Sequence, residues 1–306
     1  MHTHRTLELA LDYRCNLRCV GCRACDDSGE RLSGEQAAAL LAQAHDRGVR
    51  TAWFGGGEPT LRDDLPQLVR RARDLGYEDV ILQTNGLRLA YPAYAHALVA
   101  CGVTEVRVNA KSHRADVHDR LSQVDGAHAL LLTALENLAA LGTPVAADVL
   151  LTVSTAGELD ETIAFFADRG ARRFALWLLS AADAQDDPLV AGEVPRIADL
   201  LPSLERAARL AHARGLELVS FHTPPCTLPP SLRSLWLPAR DLAMTVVDPG
   251  AHTFALEASL FEGGARVDAC AACVARHRCA GPRADYLALH GAAEFHELSS
   301  VDGIEE

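Results

Sequence analysis

Six times along the first three-quarters of the chain, an amphipathic helical stretch ends at a glycine and a β-branched strand begins within a few residues. The glycines are Gly48, Gly76, Gly102, Gly142, Gly170 and Gly215, each suited to the left-handed position just past a helix end. The strands that follow read TAWFG, DVILQT, TEVRVN, PVAADVLLT, RRFALWLL and LELVSF, and an earlier one, LELALDY, opens the series. Helices between successive strands force those strands to run parallel. The alternation therefore predicts an α/β fold, a parallel sheet curled into a partial (β/α)6 barrel of the TIM type. An open doubly wound sheet satisfies the same pattern and is the competing architecture. The helices carry their own signals. Ser33 and Gln36 fit a capping box, with Ala37, Leu40, Leu41 and Ala44 on one face behind it; Leu65, Leu68, Val69 and Ala72 repeat the pattern, as do Leu131, Ala134, Leu135 and Leu138.

Residues 180–195 read as a long polar loop, and from residue 222 the composition changes. HTPPCTLPPSLRSLWLPARD is too rich in proline for regular helix or central strand. AMTVVDPGAHTFALEASL then reads as two strands around an Asp-Pro-Gly turn, followed by a cysteine loop and a short helix. The expected division is a barrel over residues 1–221 and a small cysteine-rich β-hairpin and helix appendix over 222–306.

With 41 acidic residues against 29 Lys and Arg, the formal net charge is −12. That balance repels phosphate backbones and anionic membrane surfaces, so composition argues against nucleic-acid and membrane partners. There is no positive-then-apolar signal segment and no apolar run of spanning length, which predicts a cytoplasmic protein. In a reducing compartment, nine cysteines, mostly clustered, point to metal binding rather than disulfides.

Cys15, Cys19 and Cys22 follow the first strand directly, at the carboxyl mouth of the expected barrel, where barrel enzymes build their sites. Soft thiolates suit an iron–sulfur cluster or zinc, and Cys25 stands close enough to complete a tetrahedral zinc site. Spacing alone leaves both open. The next strand ends in Gly55-Gly56-Gly57-Glu58-Pro59 and the one after it in Gln83-Thr84-Asn85-Gly86. Here the chain closely resembles the radical S-adenosylmethionine (SAM) superfamily over residues 7 to 220, through CxxxCxxC, GGEP, TNG and their order. The resemblance implies that Cys15, Cys19 and Cys22 ligate a [4Fe–4S] cluster whose fourth iron takes the amino and carboxylate groups of SAM. One electron would then break the sulfonium bond, giving methionine and a 5′-deoxyadenosyl radical that abstracts hydrogen from substrate. Gly56, Gly57 and Glu58 match the motif that holds the methionine ammonium through backbone and carboxylate. Cys25 would then be a spectator or a hydrogen donor, since a fourth thiolate blocks the iron SAM needs. Related families often place an aromatic residue before the third cysteine, against adenine; this chain has Gly21 there.

Every basic residue is arginine except Lys111, which sits with Asn109 just past a strand end. The matching stretch in related enzymes approaches SAM, so Asn109 and Lys111 are candidate SAM or substrate contacts; an exposed lysine in an arginine-rich composition is the alternative. His113 and His118 in the same loop receive no role, and Cys101 reads as a buried apolar residue.

Cys270, Cys273 and Cys279 form a second set, with spacing that suits iron–sulfur or structural zinc. The setting looks like the Twitch or SPASM appendices of some radical SAM enzymes, which implies one auxiliary [4Fe–4S] cluster with Cys226 as its natural fourth ligand. Without Cys226 the cluster would keep an open iron able to hold substrate, as in the molybdenum-cofactor cyclase type. Enzymes with such appendices modify peptides or act on small molecules, and they draw electrons from a donor such as flavodoxin or ferredoxin. The first strand begins near residue 7, which predicts that a peptide substrate is recognised by a separate protein or at the barrel mouth. A non-catalytic iron–sulfur or zinc carrier is the reading from a different class, and Glu58 in its glycine turn speaks against it.

Overall fold

The computed structural model describes residues 5–22, 29–182 and 187–300. The expected strands form where the glycine rhythm places them: β1 (Thr6–Ala10), β2 (Thr51–Gly55), β3 (Asp79–Thr84), β4 (Glu105–Ala110), β5 (Val145–Leu151), β6 (Ala171–Leu178) and β7 (Glu217–Phe221). They lie side by side in chain order, all parallel. The connecting helices are α1 (Gly34–Asp46), α2 (Leu65–Leu75), α3 (Pro92–Ala100), α4 (Ala115–Ser122), α5 (Ala127–Ala140), α6 (Leu159–Ala167), α7 (Pro188–Glu193) and α8 (Ile197–Arg214). The Ser33–Gln36 capping box is present in both directions, and Gly76 and Gly215 cap α2 and α8 in the left-handed conformation.

Residues 180–195, read as polar loop, contain α7: Pro188 sits at its start and the Asp187 side chain accepts from Leu189 N–H. Short helices of this kind carry too few turns to show a period.

The sheet is not closed. β7 forms one edge, and its Ser220 bridges to Trp236 in the proline-rich stretch. At the other side β1 pairs in parallel with β8 (Met244–Val247), which pairs antiparallel with β9 (Thr253–Ala255). The hairpin around the Asp-Pro-Gly turn therefore continues the barrel sheet rather than standing apart from it. The last helix, α9 (Ala284–His290), is tied back to the mouth by a buried ion pair. Arg283 bonds Asp285 and the carbonyls of Leu178 and Leu179 at the end of β6, and Asp285 accepts from Ser180 and Ala181.

Alternation along the strands sorts the side chains. Leu7 and Leu9, Ala52 and Phe54, Val80 and Leu82, and Val106 and Val108 are buried in one continuous core against the helices. The opposite parity carries Glu8, Trp53, Gln83, Arg107, Asn109, Asp148 and Trp177 toward the barrel lumen.

Candidate functional site

The first cysteine loop leaves β1 at Ala10 and is zipped to the loop after β2. Leu11 N–H donates to Gly55 O at 3.0 Å, Gly57 N–H to Asp12 O at 2.7 Å and Glu58 N–H to Arg14 O at 2.8 Å. A Cβ on Gly57 would stand 2.3 Å from Arg14 O, and one on Gly56, where φ is +110°, would stand 2.8 Å from Asp12 O. Only glycine permits this approach. On its far side the loop is held to the end of α4, with Arg18 N–H on Ser122 O at 3.1 Å and Val20 N–H on Leu121 O at 2.9 Å.

The loop presents Cys15 and Cys19 half-buried and Cys22 exposed. Cys15 and Cys19 rest on a small apolar cluster of Leu17, Leu87 and Ala127, apart from the main core. Cys15 Sγ accepts from Leu17 N–H at 3.4 Å and lies 3.8 Å from Asn85 Nδ2. Among the described residues no three His, Cys, Asp or Glu side chains are drawn tightly enough together for a single metal ion. Three soft donors on one loop, beside a glycine cradle that a Cβ would fill, fit a cluster with one open position. Cys25 lies outside the described residues. Gly21 has φ +75°, a backbone conformation that disfavours a side chain, and a Cβ there would meet Leu179 Cδ1 at 2.6 Å and Ser180 O at 3.1 Å.

Glu58 is buried, and its carboxylate is spent on the protein itself. Oε1 accepts from Thr60 N–H at 3.0 Å, Thr60 Oγ1 at 2.5 Å and Thr84 Oγ1 at 2.7 Å; Oε2 accepts from Asn85 N–H at 2.8 Å. Asn85 Nδ2 in turn donates to Asn16 Oδ1 at 2.7 Å. Burial pushes the Glu58 carboxyl above its ordinary range, against the pull of those four donors. The residue thus fastens the ends of β2 and β3 under the cysteine loop, and the backbone of Gly56 and Gly57 is what faces outward.

Lys111 is not the exposed lysine of the alternative reading: it is 2% exposed. Its Nζ donates to Asn109 Oδ1 at 2.7 Å, the one hydrogen bond it makes among the described residues. An ammonium has three donors. Two are left for an anion at the barrel mouth. Nearby, burial holds His118 neutral, its pKa pushed down to about 2 with Lys111 and His128 adding.

The second cysteine set lies beside Cys226. Cys226, Cys270, Cys273 and Cys279 line one cavity with Arg266 and His296. Cys226 arrives on the proline-rich connector, and burial pushes its thiol up to about 11. Gly281 N–H donates to Cys279 Sγ at 3.3 Å. Four soft donors around one cavity, spaced too widely for a single metal ion, fit a closed iron–sulfur cluster.

The lumen was missed by motif reading. Its groups come from single polar residues inside apolar strands, such as Glu8 in TLELA and Asp148 in VAADVLL. Their period-two placement was a usable signal.

Compared with known proteins, residues 13–168 match the family model described as the Radical SAM superfamily. A probable GTP 3′,8-cyclase of Saccharolobus solfataricus is 33% identical over 39% of this chain and 39% of its own length. The mycofactocin maturase MftC of Mycobacterium ulcerans is 37% identical over 52% of this chain and 43% of its own. The chain thus spans about two-fifths of the length of these relatives. Among solved structures, Streptococcus suis SuiB bound to S-adenosylmethionine superposes with a TM-score of 0.69 at 16% identity, covering 96% of this chain and 76% of that one. The protein anSMEcpe with bound AdoMet and Cp18Cys peptide gives 0.66 at 14% identity, covering 95% and 92%.

Proposed function

This chain belongs to the radical SAM superfamily, and from that premise we propose that it is a peptide-modifying enzyme whose SAM site is built from the cysteine loop, the glycine turn and the end of β4. Cys15, Cys19 and Cys22 hold the [4Fe–4S] cluster. When bound, cluster and SAM supply a 5′-deoxyadenosyl radical by one-electron cleavage of the sulfonium bond. The chain's own residues orient the methionine end: Gly56 and Gly57 meet its ammonium through their backbone, and Lys111, aligned by Asn109, meets its carboxylate. Glu58 fixes the glycine turn against the cysteine loop. The observation that carries this assignment is Lys111, buried with two donors unused at the mouth.

Cys226, Cys270, Cys273 and Cys279 hold one auxiliary [4Fe–4S] cluster in a Twitch- or SPASM-like region over 222–306. The four cysteines around one cavity support a closed ligand set. That set weighs toward peptide modification over cyclase chemistry, which uses an open iron to hold its substrate. The similar proteins include both kinds: SuiB, with a structure bound to precursor peptide SuiA, and the maturase MftC on one side, GTP 3′,8-cyclases on the other. An electron donor such as flavodoxin or ferredoxin supplies the reducing electron. Thiol ligands of this kind fit a reducing, cytoplasmic setting, and no helix among the described residues is long and apolar enough to cross a membrane.

The test is anaerobic reconstitution with iron and sulfide, reduction with dithionite and assay for 5′-deoxyadenosine. Wild type produces it, and Cys19→Ala does not. A fully reconstituted wild type that leaves SAM intact would favour the non-catalytic carrier.

A further inference from the structure

Below the glycine turn the barrel lumen holds a carboxylate, Glu8, with no hydrogen-bond or ion-pair partner among the described residues. Glu8 points inward from the middle of β1, opposite Trp53 on β2. A Cβ on Gly55 would lie 3.2 Å from Glu8 Oε1 and 3.2 Å from Gln83 Oε1, so these side chains meet over the space that glycine leaves. Gln83 is turned away from Glu8 as a donor: its Nε2 binds Asp148 Oδ2 at 2.9 Å and its Oε1 accepts from Trp53 Nε1 at 3.3 Å. The lumen cation, Arg107, is spent on Asp148 at 2.5 Å and on Glu105, with Trp53 against its face. No hydrogen bond or ion pair reaches Glu8 among the described residues. Its charged neighbours, Asp148 and Glu262, are both acids, and burial with their repulsion raises its pKa to about 7.

A second observation at the same rim points to a ligand. Glu262 reaches His222 Nε2 at 3.3 Å, and the His222 side chain is 7% exposed. Its Nδ1 has no partner, nor has the buried Nε1 of Trp177, whose ring packs 5.6 Å from His222. His222 takes this position with φ +62°, a left-handed backbone that non-glycine residues adopt at a cost. In the tautomer whose Nε2–H donates to Glu262, His222 Nδ1 is an acceptor, while Trp177 Nε1–H is a donor; orphaned buried groups of this kind cost about 1–3 kcal/mol each and are satisfied by a peptide N–H at the first and a peptide carbonyl at the second.

We propose that the lumen recognises a basic side chain of a peptide, its ammonium or guanidinium pairing with Glu8 beside Trp53, while the peptide backbone offers a carbonyl to the free Nε1–H of Trp177 and an N–H to Nδ1 of His222. This deepens the peptide reading and rests on it. It does not depend on how the SAM site works. A carboxylate whose charged neighbours are both acids favours a cation and rejects an anion.

The probes are capped pentapeptides, acetyl-Gly-Gly-X-Gly-Gly-amide, with X as lysine, arginine, norleucine or glutamate, titrated into the reconstituted full chain and followed by tryptophan fluorescence. Lysine and arginine peptides bind at least about tenfold tighter than norleucine, and the glutamate peptide binds weakest. Glu8→Gln brings lysine within about twofold of norleucine. Wild type that binds norleucine or glutamate as well as lysine overturns the proposal, whether or not the variant folds. A folded Glu8→Gln variant that keeps the preference overturns it too. SAM cleavage without peptide is scored separately, so loss of selectivity and failure of the radical reading are told apart.

Discussion

Replacing Glu58 by glutamine separates two roles for the residue, one in holding the loop and one in holding SAM. Oε1 carries three donors and Oε2 one, so the amide oxygen of glutamine keeps the Oε1 place and its NH2 turns toward Asn85 N–H. Donor then faces donor at a buried backbone group, which costs about 1–3 kcal/mol. The three remaining bonds pass from a charged to a neutral acceptor, but the buried charge whose desolvation outweighs them is removed as well, so that exchange adds little. Glu58→Gln should therefore destabilise the metal-free protein by about 1–3 kcal/mol, measurable against the roughly 5–15 kcal/mol a folded domain has. Urea unfolding of the apo full chain measures this as a lower midpoint at unchanged slope. Because Asn85 also binds Asn16, the variant should reconstitute with less iron at the first cluster. Stability within about 0.5 kcal/mol of wild type, together with lost SAM binding, would refute the argument and return Glu58 to the methionine ammonium.

Lys111→Met removes a buried ammonium that has one partner, so the apo protein should unfold no more easily than wild type while SAM binds about tenfold or more weakly, read by titration. Arg283→Ala leaves Asp285 buried and unpaired between β6 and α9 and should cost about 3–5 kcal/mol in urea unfolding. The Glu8 carboxyl, raised from 4.5 to about 7, keeps its proton in the folded protein where the unfolded chain has lost it. Stability is therefore full below 4.5 and is lost as pH rises through about 7; thermal unfolding of Glu8→Gln should not show the roughly 3 kcal/mol decline. Replacing Cys270 and Cys273 together by alanine should lower reconstituted iron from about eight toward about four atoms per chain, the content of one cluster lost.

Much of this was legible in the sequence because its causes are local. A glycine shortly before each of β2 to β7, with an apolar run after it, placed those strands along the chain, and the capping box at Ser33 is satisfied by residues three apart. Cys15, Cys19 and Cys22 share one loop. The parts that were not legible depend on contacts between distant segments. The pairing of β8 with β1 is set by which sheet edge is free, a property of the assembled barrel that Met244–Val247 do not carry in themselves. The burial of Lys111 reflects the walls around it, since its own neighbours in sequence are polar. The donors around the Glu58 carboxylate come from Thr60, Thr84 and Asn85, of which only Thr60 is a near neighbour in sequence. The lumen combines residues from six strands, with one or two such side chains each, below the level at which a motif is recognised.

The central claim is that three thiolates leave one iron free for SAM. Electron paramagnetic resonance of the reduced, reconstituted full chain, recorded before and after SAM is added, tests it directly. The account predicts that SAM shifts the signal of one cluster and that Cys15→Ala, Cys19→Ala and Cys22→Ala each abolish the shift. A spectrum that SAM leaves unchanged, in a chain carrying its full complement of iron and sulfide, would contradict it.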